Sequence, residues 1–320
     1  MAASDRACSP AADDYAPLGP PIVVNRPGRA VRPPIRIVVF NAMTGRHFDG
    51  ITACLKRPPL SEASAILFCE VDWQMRRSGG RRVAAELADA LGMSFAYIPE
   101  FRRRRSHDVD SASSMGNAII CAEPFEQVKA IAIPRPGVRR RFSRPRGTDL
   151  VGTHCGLVAH ARFAGHRLAI GVLHLHSRCS PTERERQMAA YLEEFPRDCP
   201  AVFGGDLNTT TMKLSSGRLI LETTVRMLLT PQRFRAPQAH EPLFERIEAH
   251  GFTTDEANVP SKSTFTFHRA IPPHFRPKLD WIAMRGVRPV AGSARVVPAR
   301  YSFFGPRVSD HDFVMVDIDL

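Results

Sequence analysis

Six apolar runs in this sequence end in, or begin from, polar residues that can do chemistry. "IRIVVFN" closes on Asn41, "AILFCE" on Glu70, "RLAIGVLHLH" on His174 and His176, and "AVFGGDLN" on Asp206 and Asn208. "LDWIAM" opens around Asp280, and "SDHDFVMV" sets Asp310 and His311 just ahead of its apolar part. Loops anchored to a rigid sheet are the usual place for chemistry. Asn41, Glu70, Asp206, Asn208, Asp280 and Asp310 are oxygen donors, and oxygen suits a hard divalent ion such as Mg²⁺ or Mn²⁺. The histidines can trade protons near neutral pH or stabilise an oxyanion. A hard ion with an Asp–His pair is machinery for water attack on a phosphoester.

Those side chains need a scaffold, and the runs behind them supply it. Short β-branched or apolar stretches predict strands at 35–41, 65–70, 94–99, 117–122, 128–133, 155–163, 167–174, 201–206, 263–267, 279–284, 294–299 and 313–318. "RF-AGH-RL" around Gly165 reads as a hairpin turn. Helices are predicted in "RRVAAELADALG", stopped at Gly92, and in "EPLFERIEAHG", stopped at Gly251. "SPTERERQMAAYLEEF" carries a capping box, Ser180 with Glu183, and Pro181 at the first helical position. "RLILETTVRMLL" is a further helix candidate. Strands do not alternate regularly with helices, which excludes a doubly wound parallel sheet. Two stacked mixed sheets flanked by helices fit better.

The 320 residues, 43% hydrophobic and 24% charged, can bury a sizeable core. Residues 1–34 hold seven prolines and few large apolar side chains, so a disordered tail is expected there, followed by one catalytic domain over 35–320. No apolar run is long enough for a membrane span. The start lacks the pattern of a secretory signal, seven cysteines include no CxxC pair, and a cytoplasmic monomer is expected. "HLH" invites comparison with zinc hydrolases, but that would leave Asn41, Glu70 and Asn208 unexplained. The net charge of +12 is concentrated locally. Arg102, Arg103, Arg104 and Arg105 form one cluster, and Arg139, Arg140 and Arg141 head a second. Such clusters are either solvated loops or a footprint for a polyanion.

Seven motifs in order, "VVFN", "FCEVD", "GNAII", "VLHLHS", "GGDLNT", "LDWI" and "SDHD", resemble the endonuclease/exonuclease/phosphatase superfamily over residues 35–320. The resemblance implies an α+β fold of the deoxyribonuclease I-like kind, a four-layer α/β sandwich of two packed mixed β-sheets flanked by helices. It implies that Glu70 is the principal metal ligand and that Asn41 helps hold the metal-bound phosphate. Asp206 resembles the carboxylate that orients or deprotonates water, and Asn208 its neighbour on a phosphate oxygen. His311, steered by Asp310 or Asp280, resembles the histidine on the scissile phosphate, and His174 the strand-end histidine facing it. Which histidine is the acid stays open. Asn117 in "GNAII" either contacts substrate or closes a turn. His154, His160, Trp73 and Trp281 are expected to be structural. The implied activity is Mg²⁺- or Mn²⁺-dependent hydrolysis of a phosphodiester, and the Arg clusters favour nucleic acid. A lipid or small-molecule phosphoester is the alternative, and an inactive binding scaffold is a third reading.

Overall fold

Ile35, Ile37 and Val39 face one apolar cluster, while Val38, Phe40 and Ala42 face another. A strand turns successive side chains to opposite faces, so a run that is apolar throughout is buried on both. This pattern explains the layering seen in a computed structural model, which describes residues 18–103, 113–135, 150–211, 225–226, 228–266, 271–302 and 305–320.

The larger sheet has nine strands. These are β1 (Ile22–Val24), β2 (Ile35–Thr44), β3 (Ala65–Trp73), β4 (Ser94–Arg103), β5 (Ser114–Cys121), β7 (Leu150–Gly152), β12 (Arg288–Pro289), β13 (Arg295–Val297) and β14 (Phe313–Asp319). Its main path is β1-β4-β5-β3-β2-β14-β12, with β7 on β4 and β13 on β14. The smaller sheet joins β6 (Phe125–Ala132), β8 (Cys155–Phe163), β9 (His166–Val172), β10 (Ala201–Asp206) and β11 (Asp280–Arg285) in the order β11-β10-β9-β8-β6. Both sheets are mixed, because β2 runs parallel to β3 and β9 parallel to β10. The first apolar cluster fills the space between the sheets. Helices α1 (Phe48–Leu55) and α2 (Val83–Leu91) cover the outer face of the larger sheet. Helices α3 (Pro181–Leu192) and α5 (Leu243–Ala249) cover the smaller one, and a short α4 (Pro231–Arg235) precedes α5. The architecture is the four-layer sandwich expected from the sequence.

Local signals act as read. The capping box of Ser180 and Glu183 starts α3, and Gly92, at φ 64°, ends α2. Ala164 and Gly165, both at positive φ, make the two-residue turn between β8 and β9. A Cβ on Gly204 would lie 2.4 Å from Val39 of the opposite sheet, so glycine there lets the sheets close up beside the polar end of β10.

Two expectations are corrected. Residues 18–34 are not a loose tail, because polar pairing substitutes for the apolar packing they lack. β1 pairs with β4, Asn25 exchanges two hydrogen bonds with the backbone of Phe125, Arg29 N donates to the Ala122 carbonyl, and Val31 N donates to Glu123. The described part of "STFTF", residues 263–266, forms no strand: Phe265 makes a bridge with His311, and the Thr264 hydroxyl binds the backbone of Leu279 and Asp280. Most of the "RLILETTVRMLL" segment lies outside the described residues.

This pairing gives a first prediction. A chain beginning at Pro17 should melt with the full-length protein, whereas one beginning at Val31 should melt about 5–10 °C lower. The figure takes roughly 0.5–1 kcal/mol for each hydrogen bond removed. Equal melting temperatures in a thermal scan would show that β1 contributes nothing.

Candidate active site

Parallel pairing of β9 with β10 brings the first two groups together. Beyond the ladder, Leu173 N donates to the Gly204 carbonyl and Leu175 N to that of Asp206, so His174 emerges beside Asp206. The Asn208 side chain donates to the Leu175 carbonyl at 2.8 Å, and its backbone N donates to Asp206 Oδ1 at 3.0 Å. His174 Nε2 lies 3.8 Å from Asp206 Oδ2.

The larger sheet contributes through three irregularities at one level. β2 carries an extra residue after Asn41, β3 one around Glu70, and β4 one at Glu100. A bulge bends its strand and re-aims a side chain, and Glu70 sits at φ 54° as a result. Asn41 Nδ2 donates to Glu70 Oε1 at 3.2 Å and to Asp206 Oδ2 at 3.0 Å. Glu70 Oε1 is 3.8 Å from His174 Nε2. On the far side of that ring, His174 Nδ1 faces Glu100 Oε2 at 3.7 Å.

The antiparallel pair β10–β11 sets Asp206 opposite Asp280. Asp280 accepts from His311 Nδ1 at 2.8 Å, and His311 Nε2 lies 3.6 Å from Asp206 Oδ2. Asp206 Oδ2 therefore stands between two imidazoles, each backed by a buried carboxylate. Of the two candidates for steering His311, the geometry selects Asp280; the Asp310 carboxylate accepts from its neighbour Ser309.

These contacts set the charges. Burial works against the His174 cation, but Glu100, Asp206 and Glu70 outweigh it and raise the ring to about 9. Burial also opposes His311, and Asp280 with Asp206 lifts it to about 10. Burial pushes Asp206 up to about 6, with His311 pulling it down and Asp280 pushing it further up. Glu100 would be raised by burial, yet His154 and His174 hold it down at about 2. The metal-free site thus keeps its two imidazoles charged at neutral pH. Glu70, Asp206 and His174 offer ligand atoms within 4.8 Å of one another. Their carboxylate oxygens suit a hard cation, and Asn41, which turns its nitrogen toward both, holds the two carboxylates together.

Other expected residues stand elsewhere. Asn117 is buried and donates to Glu100 Oε1 at 3.0 Å and to the Cys155 carbonyl at 2.7 Å, so it orients Glu100 from within the sheet rather than meeting a ligand. Arg102 is half-buried in β4. The side chain of Arg103 and all of Arg104, Arg105, Arg139, Arg140 and Arg141 lie outside the described residues. Trp281 is core, as expected, and its Nε1 donates to Thr209 just past Asn208. Sequence reasoning missed Glu100. Its one signal was an acid closing "SFAYIPE", parallel to Glu70 closing "AILFCE". His154, expected to be structural, joins the site's wall: its Nδ1 is 3.2 Å from Glu100 Oε1 and its ring meets those of His174 and His176. His176 is lowered to about 3 by burial and by these two histidines, so it stays neutral. His160 lies away on β8.

No protein-family model matches the sequence, and no curated protein matches it. Solved structures do match. The chain is similar to an endonuclease/exonuclease/phosphatase from Beutenbergia cavernae, at 17% identity and a TM-score of 0.58, over 89% of this chain and 71% of that one. It is similar to D. rerio TDP2 complexed with a single-strand DNA product, at 15% identity and a TM-score of 0.54, over 89% of this chain and 99% of that one. The catalytic domain of human Nocturnin, with a bound sulfate anion, matches at 13% identity and a TM-score of 0.55, over 93% of this chain and 96% of that one.

Raised histidines make the metal-free fold sensitive to alkali. Both gain cationic stabilisation on folding that is fully present below the ordinary value near 6.5 and is lost as pH rises through about 9 and 10. In EDTA, ring NMR should show His174 and His311 titrating above pH 8. The stability of His311→Gln should fall less steeply than wild type between pH 7 and 10. Midpoints near 6.5 for both rings would contradict the assignment.

Proposed function

From the deoxyribonuclease I-like fold of the endonuclease/exonuclease/phosphatase superfamily, which this chain has, we propose a metal-dependent phosphoesterase that hydrolyses a phosphodiester by water attack. One observation carries the reading: two carboxylate-backed imidazoles aim their Nε2 atoms at the same oxygen of Asp206. Asp206 Oδ1 accepts from the Asn208 amide and Oδ2 from Asn41; Oδ2, the oxygen that both rings face, would orient the attacking water and take its proton. His311 and His174 would bracket the phosphate and stabilise charge on its oxygens, and one of them would protonate the leaving oxygen. Asp280 and Glu100 keep the two rings charged and oriented. Asn208 fixes the loop through Leu175. Glu70 and Asp206 would hold Mg²⁺ or Mn²⁺, which supplies charge neutralisation at the phosphate.

The preferred substrate class is nucleic acid. The net charge of +12 favours a polyanion. β4 and β7 pair between Phe101–Arg103 and Leu150–Gly152, one residue from Glu100, so both Arg clusters connect to the fold beside the site. The DNA product bound by the D. rerio neighbour is consistent with this class. A lipid phosphoester is the second reading. Exposed Val225, Leu228 and Leu229 favour it, in a segment that leads to Arg233, whose guanidinium donates to Thr211 a few residues beyond Asp206.

Hydrolysis of a bis-aryl phosphate should need Mg²⁺ or Mn²⁺ and vanish in EDTA and in Glu70→Gln. Asp206→Asn and His311→Ala should each slow it by roughly 10² or more. Full activity in EDTA would overturn the proposal. Replacing Arg102 through Arg105 with Ser should raise KM on DNA or RNA and flatten the log–log salt dependence by about 0.7–0.9 for each phosphate no longer engaged. The same variant should leave kcat on the bis-aryl ester unchanged. Weaker binding to anionic vesicles, with nucleic acid unaffected, would select the lipid reading instead.

A further inference from the structure

Helix α3 carries two buried polar side chains that the chemistry above does not use. Arg184 and Gln187 are three residues apart, hence on one side of the helix, and are 0% and 1% exposed. Each reaches a different loop of the site. Gln187 Oε1 accepts from His176 N at 3.3 Å, while its Nε2 donates to the Pro134 carbonyl at 2.7 Å. Arg184 Nε donates to Glu241 Oε2 at 3.0 Å, and its Nη1 to the Cys179 carbonyl at 2.7 Å. Glu241 Oε1 in turn accepts from Thr211 N at 2.6 Å. Arg233 grips the same threonine, donating to its Oγ1 at 3.0 Å and its carbonyl at 3.2 Å. Thr211 sits at φ 58°, a conformation that a β-branched residue keeps only when its surroundings impose it.

His176 is two residues beyond His174, and Thr211 is five residues beyond Asp206 in the segment that follows β10. We infer that α3 is a positioning helix: Gln187 and the Arg184–Glu241 pair fix the loops of His174 and Asp206 against one frame, and so set the spacing of the two groups. Docking of α3 on the sheet does not require these polar residues, because Met188, Tyr191 and Leu192 already pack it there. Burying an ion pair is a poor route to stability, and apolar side chains of similar volume commonly do as well. What the polar pair adds is a directed hold on particular backbone atoms. The inference rests on the phosphoesterase reading of this site, and Arg184 and Gln187 act only through other residues.

The test uses the full chain carrying Gln187→Met, Gln187→Glu or the double change Arg184→Met with Glu241→Met, which removes both members of the buried ion pair. It measures melting temperature, amide exchange at His176 and Thr211, and kcat and KM on a bis-aryl phosphate with Mn²⁺. Gln187→Met should speed exchange at His176, and the double variant at Thr211. Each should lower kcat about 10-fold or more, as ångström-scale misplacement does, with KM little changed. Gln187→Glu keeps the acceptor for His176 N but loses the donor to the Pro134 carbonyl, and should recover part of kcat. Wild-type kcat in the folded variants, or a fall that follows melting temperature with unchanged exchange, overturns the inference. If the wild type hydrolyses no phosphodiester, the functional reading fails and exchange alone decides. Weaker protection confined to these loops then supports the positioning role, and unchanged protection overturns it.

Discussion

A carboxylate only 2% exposed, Asp206, is the constraint on which the rest of the site depends. An isolated buried carboxylate is costly, and removing one partner from a buried charge pair commonly costs about 3–5 kcal/mol. The fold meets that cost with groups from both sheets. Asn41 comes from β2, His174 from beyond β9, the Asn208 amide from the loop after β10, and His311 from just before β14. Each imidazole is stabilised in turn by a buried acid, Glu100 or Asp280. The arrangement is reciprocal. Neutralising any one member unbalances the next, so the cluster is a single electrostatic unit.

The sandwich makes this unit possible because it brings the polar ends of two sheets together. Register decides which residues meet. Parallel β9 and β10 put His174 beside Asp206, and antiparallel β10 and β11 put Asp280 across from it. Gly204 allows the sheets to approach there, since a side chain would run into Val39. In the larger sheet the bulges at Asn41, Glu70 and Glu100 break the regular alternation at the same level.

Much of this is legible in the sequence, for a physical reason. A polar residue closing an apolar run marks the point where a buried strand ends or breaks stride: His174, Asp206 and Asp280 stand at strand ends, and Asn41 and Glu70 beside bulges within β2 and β3. Glu100 escapes that rule because Pro99 reads as a strand end, whereas the strand passes through a bulge and continues to Arg103. The order of residues 18–34 comes from pairing and from hydrogen bonds of Asn25, Arg29 and Val31, which composition does not register. "STFTF" has the alternation of a strand, but the Thr264 hydroxyl serves the backbone of Leu279 and Asp280. Asn117, expected to contact substrate or close a turn, is a buried support for Glu100. The Arg clusters carry no periodic signal, and the described residues reach only their point of attachment.

The central claim is that one hard divalent ion binds at Glu70 and Asp206, between the two charged histidines. Titrating the metal-free protein with Mn²⁺ while following the ring resonances of all histidines tests it most directly. The account predicts that the first equivalent broadens His174 and His311 together, leaves His160 and His250 sharp, and has no such effect in Glu70→Gln. Broadening that spares His174 and His311, or that persists unchanged in Glu70→Gln, would contradict it.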